Sequence, residues 1–176
     1  MFTLDDILQG NAGKARVLSN APHDPQLVFR SAHHDSRQIE PGDLFVAIKG
    51  AKVDGHRFIA SAAQNGAIGA LCSTEVTDVP ADFLQIIVPD VVEALHTTAR
   101  TRVQRQPETT YIGITGSNGK TSTKEAVAAV LSHLAPILKT LASYNTEIGY
   151  PLTLLRLEPQ HRYAVLEMGA QWVGEL

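Results

Sequence analysis

Short apolar runs alternate along this chain with segments whose apolar positions recur every three or four residues, the pattern of strands and helices taking turns. Thr3 is placed to cap a short helix over Leu4 to Leu8. After a turn-rich stretch from Gly10 to Pro25, Leu27-Val28-Phe29 and Asp43 to Ile48 read as strands, the second opened by the turn signal Pro41-Gly42. His56 to Asn65 reads as a helix, with Phe58, Ile59, Ala62 and Ala63 at helical spacing and Gly66 as its stop. Two further apolar strands, Ala67 to Cys72 and Phe83 to Val88, precede a helix from Asp90 to Gln106. Asp90 is its N-cap, Val91, Val92, Leu95, Ala99 and Val103 line one face, and Pro107 ends it.

That proline divides the chain into a first domain, residues 1–106, and a second, residues 107–176. The second opens with a strand, Tyr111 to Thr115, followed by Gly116-Ser-Asn-Gly-Lys-Thr121 and a helix carrying Val127, Val130, Leu131 and Leu134 at i, i+3, i+4 and i+7. Pro136 to Thr140 reads as a strand, Glu147 to Leu157 as a helix that tolerates Pro151 only in its first turn, and Tyr163 to Glu167 as a third strand. A β-α-β-α-β order predicts a parallel sheet covered by helices. The fold class is therefore α/β: a small mixed α/β domain followed by the first part of a parallel-sheet domain. About 68 residues from Thr109 onward leave room for only half of an ordinary nucleotide-binding sheet, so a fragment is expected.

Composition narrows the partners. With 44% hydrophobic and 19% charged residues in 176, disordered and fibrous classes are excluded. Fifteen Lys and Arg against eighteen Asp and Glu give a net charge of −3, so no global positive field draws in nucleic acid or an anionic membrane, and anion binding must be local. The acidic N-terminus, Met1-Phe-Thr-Leu-Asp-Asp, lacks an apolar targeting segment, and no stretch approaches the ~20 apolar residues of a membrane span. Cys72 is the single cysteine and sits in an apolar run, which predicts a buried, inert thiol in a reducing compartment. A cytoplasmic protein without nucleic-acid or membrane partners is expected.

The chemistry concentrates in Gly116, Ser117, Asn118, Gly119, Lys120, Thr121 and Ser122. A phosphate chain is held by inward-pointing N–H groups, a helix N-terminus, a lysine reaching the outer phosphates and a hydroxyl for Mg²⁺, and this strand-loop-helix segment supplies each. It departs from the strict spacing G-x-x-x-x-G-K-[ST], which would place glycine where Ile114 stands. Glu167 closes a strand of the same sheet, where open α/β sheets bind ligands; taken alone, a strand-end glutamate before Met-Gly is more often a solvated loop residue, and the alternative is one oxygen ligand for a hard cation. Asn145 and Glu147 precede a helix on the same side, facing a substrate or capping that helix. In the first domain, His33-His34 lacks a third ligand at zinc spacing, whereas Arg37 after Ser36 has the bidentate geometry that suits phosphate or carboxylate.

Taken together, Asp35-Ser-Arg37, Pro41-Gly-Asp-Leu-Phe-Val-Ala-Ile-Lys-Gly50, Asp54-Gly-His-Arg-Phe58 and Gly66-Ala67 resemble the amino-terminal domain of the cytoplasmic Mur ligases of peptidoglycan synthesis. Thr115 to Thr121 resembles that family's shortened P-loop. Asn145-Thr-Glu-Ile-Gly149 with Pro151-Leu-Thr-Leu-Leu155, and Glu167-Met-Gly-Ala170 with Gly174-Glu175, are similar to its D-alanyl-D-alanine-adding branch rather than the diaminopimelate- or lysine-adding one. The resemblance implies an ATP-dependent amide ligase that joins UDP-N-acetylmuramoyl-tripeptide to D-alanyl-D-alanine through an acyl phosphate. It implies that Gly116 to Ser122 hold ATP, that Lys120 stabilises the transferring charge, and that Thr121 and Glu167 bind Mg²⁺. It further implies that Ser36 and Arg37 contact the UDP moiety, and that Asn145 and Glu147 lie near the substrate and the metal. Family members are more than twice this length, so the alternatives for a chain of this size are a non-catalytic UDP-sugar-peptide-binding module with an ATPase remnant and the related diaminopimelate- or lysine-adding ligase.

Overall fold

The computed structural model describes residues 1–19, 22–50, 53–141, 144 and 146–169. The chain forms two compact units, Met1–Thr101 and Arg102–Leu176. The elements of the first are β1 (Phe2–Thr3), α1 (Leu4–Gly10), β2 (Arg16–Leu18), β3 (Val28–Phe29), β4 (Ala32–His33), β5 (Leu44–Val46), α2 (Ile59–Gln64), β6 (Gly69–Cys72), β7 (Leu84–Ile87) and α3 (Val91–Gln104), whose last turn falls in the second unit. A five-stranded sheet has the order β2-β7-β6-β5-β4, parallel from β7 to β4 with β2 antiparallel at its edge; β1 and β3 pair separately.

Local chemistry explains where these helices begin. Thr3 and Asp6 form a reciprocal cap on α1: the Asp6 N–H donates to Thr3 Oγ1 at 3.2 Å and the Thr3 N–H to Asp6 Oδ2 at 2.7 Å. Asp90 Oδ1 accepts from the N–H groups of Val92 and Glu93 at 2.8 and 2.9 Å, as its N-cap position requires. The segment expected as one helix from His56 is instead a 3-10 turn, Gly55–Phe58, followed by α2. The turn is held from outside itself. Asp54 accepts the His56 N–H at 3.0 Å and sits 2.6 Å from His56 Nδ1, while His56 Nε2 accepts the N–H of Ser73, just beyond β6, at 2.9 Å. Asp54 thus fixes the ring, and the ring clamps this turn to the end of β6.

Strands β1, β2 and β4 are absent from the sequence expectation, and β2 lies inside the stretch read as turns. Two- and three-residue strands carry too little alternation to be read; their hydrogen bonds come from neighbours whose own patterns are strong. The core joins Phe45, Ala47, Ala70, Cys72 and Phe83 to Ile59 and Ala62 of α2. Buried Asn11 is satisfied by donating to the carbonyls of Ile7 and Ala94 and to Thr98 Oγ1, which ties α1 to α3.

The second unit contains β8 (Thr110–Ile114), α4 (Lys120–Ser132), β9 (Ile137–Lys139), α5 (Gly149–Leu154) and β10 (Tyr163–Glu167). Its sheet is parallel in the order β8-β10-β9, and α4 packs against all three strands. Pro151 is the third residue of α5, within the first turn that tolerates it. At the start of the unit, the guanidinium of Arg102 donates to the Leu157 carbonyl at 2.8 Å, and the Tyr111 hydroxyl donates to the carbonyls of Val103 and Gln106.

One expected face turns out differently. Val130 and Leu134 are 65% and 69% exposed, and the residues of α4 turned to the sheet are Lys124 and Ala128. At about 100° per residue, Val130 lies roughly a third of a turn away from Lys124. The periodicity located a real apolar stripe, but it flanks the sheet-facing side and forms a shallow groove with Ala126, Val127 and Leu131.

Cys72 is fully buried, and burial pushes its thiol up to about 11. Two outcomes are expected. At pH 8 a disulfide reagent should modify the native chain about two orders of magnitude more slowly than the urea-unfolded chain. Because the native state keeps a proton that the unfolded thiol releases, stability should fall as pH rises from the unfolded thiol value of about 8.5 toward 11. Stopped-flow thiol titration and urea melts across that range check both.

Candidate functional site

The loop from Thr115 to Gly119 leaves the carboxyl end of β8 and enters α4 at Lys120. Gly116 has φ 138° and Gly119 φ 75°, values that side chains rarely tolerate. Gly119 is the N-cap residue and makes no side-chain cap, so the first N–H groups of α4 keep a bare backbone approach. Lys120 folds back over this loop, its Nζ donating to the Gly116 carbonyl at 2.7 Å. A lysine and a helix N-terminus are therefore directed at one exposed loop, the electrostatic arrangement that suits an anion.

Glu167 reaches the same loop through strand pairing. In the parallel register it stands opposite Ile114, the last residue of β8, and the next N–H, that of Met168, donates to the Ile114 carbonyl at 3.0 Å. On its other side Thr140, which follows β9, accepts the Glu167 N–H at its hydroxyl, also at 3.0 Å. The carboxylate is only 2% exposed, and its Oε1 accepts from Thr121 Oγ1 at 3.1 Å. Lys120, Thr121 and Glu167, three of the residues singled out by sequence, thus converge at the carboxyl ends of β8 and β10.

Sequence reasoning missed Lys124 and Thr140. Lys124, one turn beyond Thr121, is 1% exposed, with Nζ 3.5 Å from Glu167 Oε2 and 3.2 Å from Glu125 Oε1. The available signal was its spacing: three residues after Thr121 puts Lys124 on the same helix face. Lys139 and Lys124 together hold the Glu125 carboxyl below its ordinary range.

The remaining candidates are Asn145, Glu147, Ser36 and Arg37. Asn145 is outside the described residues, as are Ala170, Gly174 and Glu175. Glu147 is exposed just ahead of α5, whose N-cap residue Ile148 makes no side-chain cap, and the Thr146 hydroxyl accepts the Gly149 N–H at 3.1 Å. Ser36 and Arg37 belong to the first unit, in a 3-10 turn (Ser36–Gln38) beyond the carboxyl end of β4. Arg37 is exposed and already paired: its Nε and guanidinium nitrogen donate to both oxygens of Asp35, at 2.9 and 2.7 Å, which holds that carboxyl down at about 2. Next to it, burial lowers the His34 imidazole. Asn65 of the α2 terminus donates to the Ser36 carbonyl at 2.9 Å and fixes the turn. Among the described residues no three His, Cys, Asp or Glu side chains group as a metal cluster, and no helix is long and apolar enough to cross a membrane.

Comparison with known proteins gives this geometry a context. Residues 30–103 match the Mur ligase family, catalytic domain, and residues 114–175 the Mur ligase middle domain. UDP-N-acetylmuramoyl-tripeptide--D-alanyl-D-alanine ligase of Escherichia coli (strain K12) is 44% identical over 173 residues, covering 98% of this chain and 35% of that protein. A crystal structure of MurF from Acinetobacter baumannii is similar with a TM-score of 0.83 at 35% identity, over 99% of this chain and 36% of that one. MurF ligase from Thermotoga maritima, in complex with ADP, is similar with a TM-score of 0.67 at 34% identity, over 81% of this chain and 32% of that one. The chain spans about a third of the length of the curated relatives it matches. Two family models matched in order, and likeness to both sequences and structures along nearly the whole chain, establish that it belongs to the Mur ligase family.

Proposed function

We propose that the chain is the amino-terminal part of an ATP-dependent amide ligase of peptidoglycan precursor synthesis, adding D-alanyl-D-alanine to UDP-N-acetylmuramoyl-tripeptide in the cytoplasm. Residues 1–106 form the domain for the UDP end of the substrate, and residues 107–176 the first part of the ATP-binding domain. The observation that carries this reading is the 3.1 Å contact of Thr121 Oγ1 with Glu167 Oε1 at the start of the helix that follows the glycine loop. The names of the similar proteins support the substrates, and the ADP in the Thermotoga maritima neighbour supports an adenine nucleotide as a ligand.

In this reading the backbone N–H groups of Gly116 to Ser122 cradle the ATP phosphates, and Lys120 exchanges the Gly116 carbonyl for the outer phosphates. The tripeptide carboxylate attacks the γ-phosphorus; the bond to the β-γ bridging oxygen breaks, ADP leaves, and an acyl phosphate remains. The dipeptide amine then displaces phosphate and loses a proton. Lys120 stabilises the charge spread over the transferring phosphoryl oxygens. Thr121 and Glu167 fit Mg²⁺: two oxygens bound at right angles at its usual distance stand about 2.9 Å apart, close to the separation here. The ion would neutralise phosphate charge. Arg37, presented by Asp35, and Ser36 contact the UDP moiety, and Asn145 and Glu147 lie toward the substrate.

Two substitutions in the full-length ligase test the assignment. Lys120→Ala should lower ligation by well over about tenfold, or ~1.4 kcal/mol of transition-state stabilisation, while UDP-substrate affinity measured by calorimetry stays unchanged. Ligation kept within that factor removes Lys120 from the phosphate site. Glu167→Gln should raise the Mg²⁺ concentration needed for half-maximal rate by about tenfold or more, with little change in UDP-substrate affinity. An unchanged Mg²⁺ titration contradicts the metal role.

A further inference from the structure

A lysine on the helix face turned toward a sheet is out of place by every packing preference, because its ammonium must leave water. Lys124 nevertheless occupies that position on α4 with 1% exposure. Among the described residues two carboxylates approach it. Glu125 is its chain neighbour, is half exposed and also receives Lys139. Glu167 is almost fully buried and comes from another element, β10.

The two oxygens of Glu167 are thereby differentiated. Oε1 faces the Thr121 hydroxyl at 3.1 Å, and Oε2 faces the Lys124 ammonium at 3.5 Å. Thr121 and Lys124 are one turn apart on the same face of α4, so a single rigid helix addresses both oxygens of one carboxylate whose backbone is held by Ile114 and Thr140. A cation that tried to take both oxygens would have to share Oε2 with an ammonium.

We propose that Lys124 is a positioning residue that makes Glu167 a one-oxygen ligand and so biases the site toward Mg²⁺ over Ca²⁺. Mg²⁺ keeps strict octahedral geometry with few protein ligands, whereas Ca²⁺ is larger and readily accepts a carboxylate through both oxygens. The inference rests on the reading of Thr121 and Glu167 as the Mg²⁺ ligands. It goes beyond that reading by assigning the selectivity to a side chain that touches neither nucleotide nor ion.

The first experiment needs no ligand. Unfolding of the 176-residue chain is measured for Lys124→Met, Glu167→Gln and the double variant. Lys124→Met takes the ammonium away from Oε2 of a buried carboxylate, so the single substitution should lower the folding equilibrium constant by at least about tenfold, and adding Glu167→Gln should restore much of the loss. If Lys124→Met does not fold but the double variant does, the coupling is shown directly. Strictly additive effects overturn the inference. The second experiment separates positioning from simple structural support. In the full-length ligase with ADP, Mg²⁺ and Ca²⁺ affinities are measured by calorimetry. Lys124→Met should move the Mg²⁺-to-Ca²⁺ preference about tenfold toward Ca²⁺, and Lys124→Arg should retain most of it. An unchanged preference in Lys124→Met, with Mg²⁺ affinity lost in Glu167→Gln, overturns this inference alone. Unchanged Mg²⁺ affinity in Glu167→Gln overturns the metal assignment beneath it.

Discussion

Parallel pairing of β10 beside β8, in the register that sets Glu167 opposite Ile114, is the constraint from which the second unit's chemistry follows. A slip of one residue would turn the carboxylate to the opposite face of the sheet, since strand side chains alternate. In the observed register Glu167 meets the start of α4, where the glycine loop delivers bare N–H groups, Lys120 and Thr121. Neighbouring bonds resist the slip: the Ile114 carbonyl takes the Met168 N–H, and Thr140 both donates its N–H to the Val165 carbonyl and accepts the Glu167 N–H. The site is a consequence of sheet geometry, with loop and strand end brought together at the carboxyl edge of parallel strands.

The same edge of the first unit's sheet carries its own polar constellation. Ser36 and Arg37 follow β4, and Ser73 follows β6, where the His56 ring receives its N–H. Three polar groups there have defined partners: Asp35 for Arg37, Asn65 for the Ser36 carbonyl, Asp54 for His56. A prealigned guanidinium loses less conformational freedom on meeting an anion than a free one. Buried Asn11 follows the same rule, satisfied by two carbonyls and a hydroxyl.

Much of this was legible in the sequence because it depends on short-range rules. Thr3 and Asp90 announce their helices as caps, Pro151 limits where α5 starts, and the Gly-x-x-Gly-Lys-Thr spacing after an apolar strand marks the loop that joins β8 to α4. Glu167 was legible as a strand-end carboxylate. What stayed hidden depends on partners distant in the chain. Strands β2 and β4 exist because β7 and β5 offer hydrogen bonds. The direction in which α4 faces shows only in which residues meet the sheet: Lys124 and Ala128 are buried there, while Val130 and Leu134 are exposed. Nothing in the periodicity of one helix reports that a carboxylate from a strand more than forty residues later will sit beneath it.

One carboxylate, one hydroxyl and one lysine at the carboxyl ends of β8 and β10 form the proposed metal and phosphate site. A crystal structure of the full-length ligase with Mg²⁺ and a non-hydrolysable ATP analogue tests it most directly. Thr121 Oγ1 and a single oxygen of Glu167 should lie about 2.1 Å from the ion, and Lys120 Nζ should have left the Gly116 carbonyl for a phosphate oxygen. An ion bound away from Glu167, or phosphates seated on a loop other than Gly116 to Ser122, would contradict it.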